Sequence, residues 1–135
     1  MLPITIIDNE YITMEYLPDK KVIFHIVHKP IGHPELVEAL NAGTEALKKY
    51  GACKWLSDDR LNGPLSPESV EYGFKDWGPR TIAAGWKYWG NVVPKELVAA
   101  GTLVPVIQAY YDMGLRMMVF TDVEKATEWL DGLEG

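Results

Sequence analysis

The chain has a single cysteine, Cys53, so no internal disulfide can staple it. That suits a reducing compartment, and a cytoplasmic protein is expected. Positive charge is also scarce: thirteen Lys and Arg stand against nineteen Asp and Glu, a formal net charge of -6. The basic residues are scattered, with Lys20-Lys21 and Lys48-Lys49 the only basic pairs. Non-specific binding to nucleic acid or to anionic membranes needs concentrated positive charge, so both are excluded. No apolar run approaches the roughly 20 residues of a membrane span. Met1-Leu2-Pro3-Ile4 has neither a basic start nor a small-residue cleavage site, and no secretion signal is expected. The phosphate loop, the dinucleotide fingerprint and the nucleophile elbow are all missing, and Gly85 and Gly90 have the wrong spacing for any of them. Phenylalanine is sparse as well, three residues against five Trp and seven Tyr.

What is there reads as one α/β domain, residues 1–135, long enough to bury a core without metal or disulfide. Ile4 to Ile7 is a short apolar run closed by the turn pair Asp8-Asn9. Ile12, Met14 and Tyr16 alternate with Thr13 and Glu15, the pattern of a half-buried strand. Leu17-Pro18-Asp19-Lys20 is turn chemistry, and Lys21 to His28 follows as a strand apolar on both faces, hence central. The short connection predicts an antiparallel hairpin.

Leu36, Leu40, Gly43, Leu47 and Tyr50 then recur at helical spacing, with Gly51 as the stop. Gly43 on this buried stripe costs up to about 1 kcal/mol of helix propensity, which predicts close approach to the sheet. Cys53 to Leu56 reads as a buried strand. Ser66 and Pro67 are an N-cap and first helical residue, and Val70, Phe74 and Trp77 continue one face. Gly78-Pro79 predicts a kink or a second helical piece. Trp86 to Val93 is a strand, Lys95 to Ala100 and Thr102 to Met113 are helical pieces with Thr102 as a cap, and Leu115 to Phe120 is a strand. Thr121-Asp122-Val123-Glu124 reads as a capping box before a last helix that buries Val123, Ala126, Leu130 and Leu133. The order is β-β-α-β-α-β-α-β-α, a mixed, mostly parallel sheet opened by an antiparallel hairpin.

The stretch from Lys54 to Gly85 marks the functional locus: a strand, a turn-rich loop, and a capped helix start facing that loop. Ser57, Asp58, Asp59, Arg60 and Ser66 are its candidate residues. Asp58 and Asp59 are adjacent, so on an extended chain they point to opposite sides and make a poor acid/base pair. His25 and His28 are divided by the same alternation, and no metal is expected from them or from Cys53. A second candidate group is aromatic: Trp86, Tyr88, Trp89, Tyr110 and Tyr111 could line an apolar pocket or a partner surface. Alternation sends Trp86 and Tyr88 one way and Trp89 the other.

The whole pattern resembles the STAS fold, and more closely the small SpoIIAA-like bacterial proteins. The matching pieces are the opening strand pair, Lys54-Trp55-Leu56-Ser57-Asp58 before the loop, and Ser66-Pro67-Glu68 at the helix start. Gly85 before a strand ending Val92-Val93-Pro94, and Phe120-Thr121-Asp122 to Trp129-Leu130, complete it. The resemblance implies a non-enzymatic module, without cofactor, that recognises a protein partner through the loop and helix start. It also implies a phosphorylatable serine at Ser66, although Leu65 stands where the family has Asp and Pro67 where it has a small residue. Because SpoIIAA-like folds are similar to lipid-transfer domains, a carrier of a small apolar ligand is the second expectation. An enzyme built on Asp58, Asp59 and Arg60 is the third. Self-association through a sheet edge or face would fit an acidic domain of this kind, though no residue demands it.

Overall fold

The computed structural model describes residues 1–135. The strands are β1 (Ile4–Asp8), β2 (Ile12–Leu17), β3 (Val22–Val27), β4 (Lys54–Asp58), β5 (Tyr88–Val92) and β6 (Arg116–Phe120). The helices are α1 (His33–Tyr50), α2 (Pro67–Tyr72), a π-helical turn (Gly73–Trp77), α3 (Gly78–Ala83), α4 (Lys95–Ala99), α5 (Val104–Asp112) and α6 (Val123–Asp131). The fold is α/β, with a six-stranded mixed sheet in the order β1-β2-β3-β4-β5-β6. β1, β2 and β3 are antiparallel and β3 to β6 are parallel.

Strands that advance one place at a time through right-handed crossovers drop each intervening helix on the same face. That is how the layers fall. α1, the helical run 67–83 and α5 cover one face, around Met14, Ile23, Trp55, Trp77, Trp86 and Leu115. Only α6 covers the other, where Ala126 and Leu130 meet Val22, Leu56 and Val92. Phe24 and Ile26, on the side of β3 away from α1, are left half-buried.

Several local expectations are corrected. The run at Ile4 to Ile7 is itself an edge strand, so there are six strands, three of them antiparallel, where five were expected. A register shift between Thr5 and Ile7 blurs its alternation. A second helical piece does follow the first, but it starts at Gly78 itself and is joined to α2 through the π turn without a break. The π turn adds a residue, and Gly78 N–H bonds to Gly73 O, which moves the carbonyls that the Pro79 ring would strike. Gly78 is required there, since a β-carbon would lie 2.5 Å from Gly73 O and 3.0 Å from Tyr110 Cε1. The cap of α6 is Asp122, not Thr121: its carboxylate accepts from Lys125 N at 2.8 Å. Leu103 rather than Thr102 precedes α5, so Pro105 falls within its first two positions. Ser66 caps α2 as expected, accepting from Ser69 N at 3.1 Å.

Gly43 also does what its place on the stripe required. A β-carbon there would collide with Trp55 Cη2 and sit 2.8 Å from Trp55 Cζ2 and 2.9 Å from Met14 Sδ. No helix is long and apolar enough to cross a membrane.

Candidate functional site

The carboxyl ends of the parallel strands carry the chain's polar chemistry. Asp58, the last residue of β4, turns towards the α6 side. Arg60 grips it through Nε at 2.9 Å and the second guanidinium nitrogen at 2.8 Å, with Arg60 N at 3.3 Å. Asp59 leaves on the opposite side, its Oδ1 3.0 Å from His25 Nε2. The two carboxylates therefore part, as alternation required. Burial alone would raise the Asp58 carboxyl, but the Arg60 hydrogen bonds and charge outweigh it and hold the group below the usual carboxylate range.

Because the folded carboxyl is depressed, its stabilisation is present above about pH 4 and is lost as pH falls through the lower folded value. Arg60→Ala should therefore cost roughly 1–3 kcal/mol near pH 7, by leaving a buried carboxylate without its donors. The gap should close towards about pH 3, and urea midpoints at both pH values measure it. A gap that stays constant with pH would show that Arg60 acts through packing alone.

His25 is pinned from both sides. Trp55 Nε1 donates to His25 Nδ1 at 3.0 Å, so Nδ1 is the unprotonated nitrogen and Nε2–H faces Asp59. Ser57, one strand over, is 1% exposed and accepts from Trp89 Nε1 at 2.9 Å. Of the loop candidates it alone is turned fully inward, and it presents nothing to a partner.

The loop over this edge, residues 59–66, is tied down at three points. Arg60 holds Asp58, Asn62 Oδ1 accepts from Ile31 N at 3.2 Å, and Ser66 caps α2. The starts of α1 and α2 are clipped together beside it. His33 Nδ1 lies 2.9 Å from Ser69 Oγ, His33 Nε2 3.2 Å from Glu68 Oε1, and Ser66 Oγ 3.1 Å from Ser69 Oγ. A serine, a histidine and a carboxylate thus line up, but Ser69 is only 4% exposed and is enclosed by its partners. The line joins two helices. Ser66 itself is exposed.

The loop's apolar side chains point outward: Leu61 is 63% exposed, Leu65 40%, and Val70 on α2 42%. Below them a groove of about 250 Å³ is lined by Ile26, Val27, Asp58, Arg60 and Leu61.

The aromatic candidates are only partly brought together. Trp86, Trp89 and Tyr110 pack on one another, with centroids 5.2 to 6.0 Å apart, and extend through Trp77 at 4.9 Å from Trp86. Burial pushes the Tyr110 hydroxyl up to about 12. Tyr88 packs on the opposite face beside Val22 and Leu56, and Tyr111 is 66% exposed. The expected alternation of Trp86 with Tyr88 is corrected: Trp86 precedes β5, after the turn at Gly85 (φ +121), so strand alternation does not reach it. Cys53 is buried, and His28 bonds at Nε2 to Thr13 Oγ1 at 2.7 Å, away from His25.

No family model, curated protein or solved structure matches this chain.

Sequence reasoning missed the Trp55–His25–Asp59 chain, the His33–Ser69 clip, and Asn91, which lies level with Ser57 on the next strand. One signal was available. His25, Ser57 and Asn91 are each a polar residue in a strand whose other inward positions are apolar.

Proposed function

We infer that the chain is a STAS-like protein-recognition module, working without chemistry of its own, whose docking surface is the 59–66 loop with the first turn of α2. One observation carries the reading. Leu61 and Leu65 on the loop and Val70 on α2 are exposed, and the loop is tied to the body of the fold by Arg60, Asn62 and the Ser66 cap. Solvating apolar side chains on a fixed frame is what a preorganised interface does, since ordering costs are met before the partner arrives. The carboxylates that an enzyme built on Asp58, Asp59 and Arg60 would need in one cleft diverge to two faces, which disfavours that alternative. The carrier reading is weakened in the same way, because the rings that would line its pocket fill the space with each other.

Within this reading Ser66 is the switch. Ser66 is an exposed residue at a helix start, its hydroxyl now bonded to Ser69, and a phosphate there would replace the cap, gain from the first-turn N–H groups and add charge beside Leu65. The partner would meet the loop in one state of Ser66 and not in the other.

The test compares three baits: the native chain, Leu61→Asp with Leu65→Asp, and Val104→Asp as a control on an exposed apolar residue of α5. A protein retained by the native chain and the control, lost at least tenfold on the loop variant, and rebinding in purified form supports the reading. Purified candidates that bind the loop variant as tightly would sink it. So would a native mass spectrum carrying an apolar adduct that denaturation removes. The same spectrum counts chains per particle.

A further inference from the structure

A sheet that runs β1-β2-β3-β4-β5-β6 has two edges, β1 and β6, and the chain treats them differently. β1 is blunted: Pro3 precedes it, and a register shift breaks it between Thr5 and Ile7. Prolines, bulges and lysines are the devices that stop an edge from taking another strand. β6 has none of them. It follows β5 in unbroken register from Arg116 to Phe120, and its one charge stands at its first residue.

Hydrogen bonding fixes what this edge presents. Arg116 N donates to Lys87 O, and Val93 N donates to Phe120 O. Bonding direction alternates along a strand, so Arg116, Met118 and Phe120 turn their amides and carbonyls to β5, while Met117 and Val119 turn theirs outward. The side chains alternate as well. Met117 and Val119 pack under the helices of one face, and Phe120 packs on the α6 side. Met118, between Arg116 and Phe120, is 46% exposed. A strand laid antiparallel on this edge must therefore offer an apolar side chain opposite Met118 and no cation opposite Arg116. β6 itself, turned about a twofold axis at Met118, does both. Met118 then faces Met118 of the second copy, and Arg116 faces the Phe120 ring. Met117 and Val119 exchange both backbone bonds with Val119 and Met117 of that copy. β6 brings no carboxylate to the contact, which matters between two chains of net charge -6.

We propose that the chain forms a twofold dimer by antiparallel pairing of β6 with β6 of a second copy, centred on Met118 and continuing the sheet across the axis. The combined sheet then ends in the blunted β1 on both sides, so assembly stops at two chains and does not grow into a fibre. The pairing does not rest on the docking loop, and either can fail without the other.

The experiment is sedimentation velocity of the full chain from about 1 μM to about 1 mM. A monomer–dimer equilibrium within that range is expected, weakened at least tenfold by Met118→Lys. That variant sets two like charges face to face at the axis, on a side chain the single chain leaves exposed. Thr5→Lys, on the β1 edge, should leave the equilibrium unchanged. Register is read separately by cross-linking. The two Met118 Cα atoms would lie about 4.5 Å apart, within disulfide reach, so Met118→Cys should form a covalent dimer with oxidised glutathione. Thr121→Cys, whose copies would lie about 20 Å apart, should not. The native Cys53 is buried and stays out of the reaction. A chain that is monomeric at the highest concentration overturns the proposal. So does a dimer that Met118→Lys leaves intact, or one that Thr121→Cys links and Met118→Cys does not.

Discussion

Trp55→Ala should leave the chain too little stability to fold. Trp55 sits in the middle strand pair, 1% exposed, with Trp77 at 5.3 Å and Trp86 at 5.8 Å between ring centroids. Removing a buried indole costs about 3–5 kcal/mol in lost transfer energy and residual cavity. Here the loss has a second part, since Trp55 Nε1 is the donor to His25 Nδ1. Without it a ring nitrogen is buried and unpaired, a further 1–3 kcal/mol or so. The sum rivals the 5–15 kcal/mol that typically separates folded from unfolded domains. The substitution should therefore give a chain that is largely unfolded without denaturant, by far-UV circular dichroism. Trp55→Phe separates the two parts. It keeps most of the ring volume and deletes the donor, so its urea midpoint should drop by roughly the smaller contribution. A Trp55→Ala protein with a native-like midpoint would mean that the aromatic cluster is not what holds α1 and α3 to the sheet.

Much of this architecture could be read from residue spacing. The α1 stripe, the alternation of β2, the stop at Gly51 and the Ser66 cap all follow from local rules, and each stands where those rules put it. What escaped depends on neighbours distant in sequence. β1 is recognisable as a strand only once β2 pairs with it, because its bulge spoils the period-two pattern. The π turn needs Tyr110 packed against Gly78 to make sense of a Gly-Pro pair in mid-helix. The site divides the same way. The divergence of Asp58 and Asp59 follows from the geometry of an extended chain, and so it was visible. The buried row of His25, Ser57 and Asn91 is set by strand register, which no single strand encodes. Asp59 reaches His25 across 34 positions of sequence, and nothing local announces it.

Close approach of α1 to the sheet is also why Gly43→Ala, which elsewhere would strengthen a helix, should be destabilising here. In an exposed helix interior the exchange gains up to about 1 kcal/mol. At Gly43 the new methyl would run into the edge of the Trp55 ring and crowd Met14 Sδ from the other side. Met14 can bend away. Trp55 cannot, because its N–H is fixed on His25 and the rings of Trp77 and Trp86 pack against it. Relief must come from α1 lifting off the sheet, which loosens Leu36, Leu40 and Leu47 as well. Overpacking of this kind costs about 1–3 kcal/mol, so it outweighs the propensity gain and the net effect is a loss of up to about 2 kcal/mol. The double variant with Trp55→Phe tests the cause. A smaller ring frees the space, so Gly43→Ala should cost much less in that background, with a coupling of roughly 1–3 kcal/mol. Additive losses in urea unfolding would place the strain somewhere other than the Gly43–Trp55 contact. A coupling of the expected sign would identify a single glycine as what lets α1 lie close enough to bury the tryptophan at the centre of the sheet.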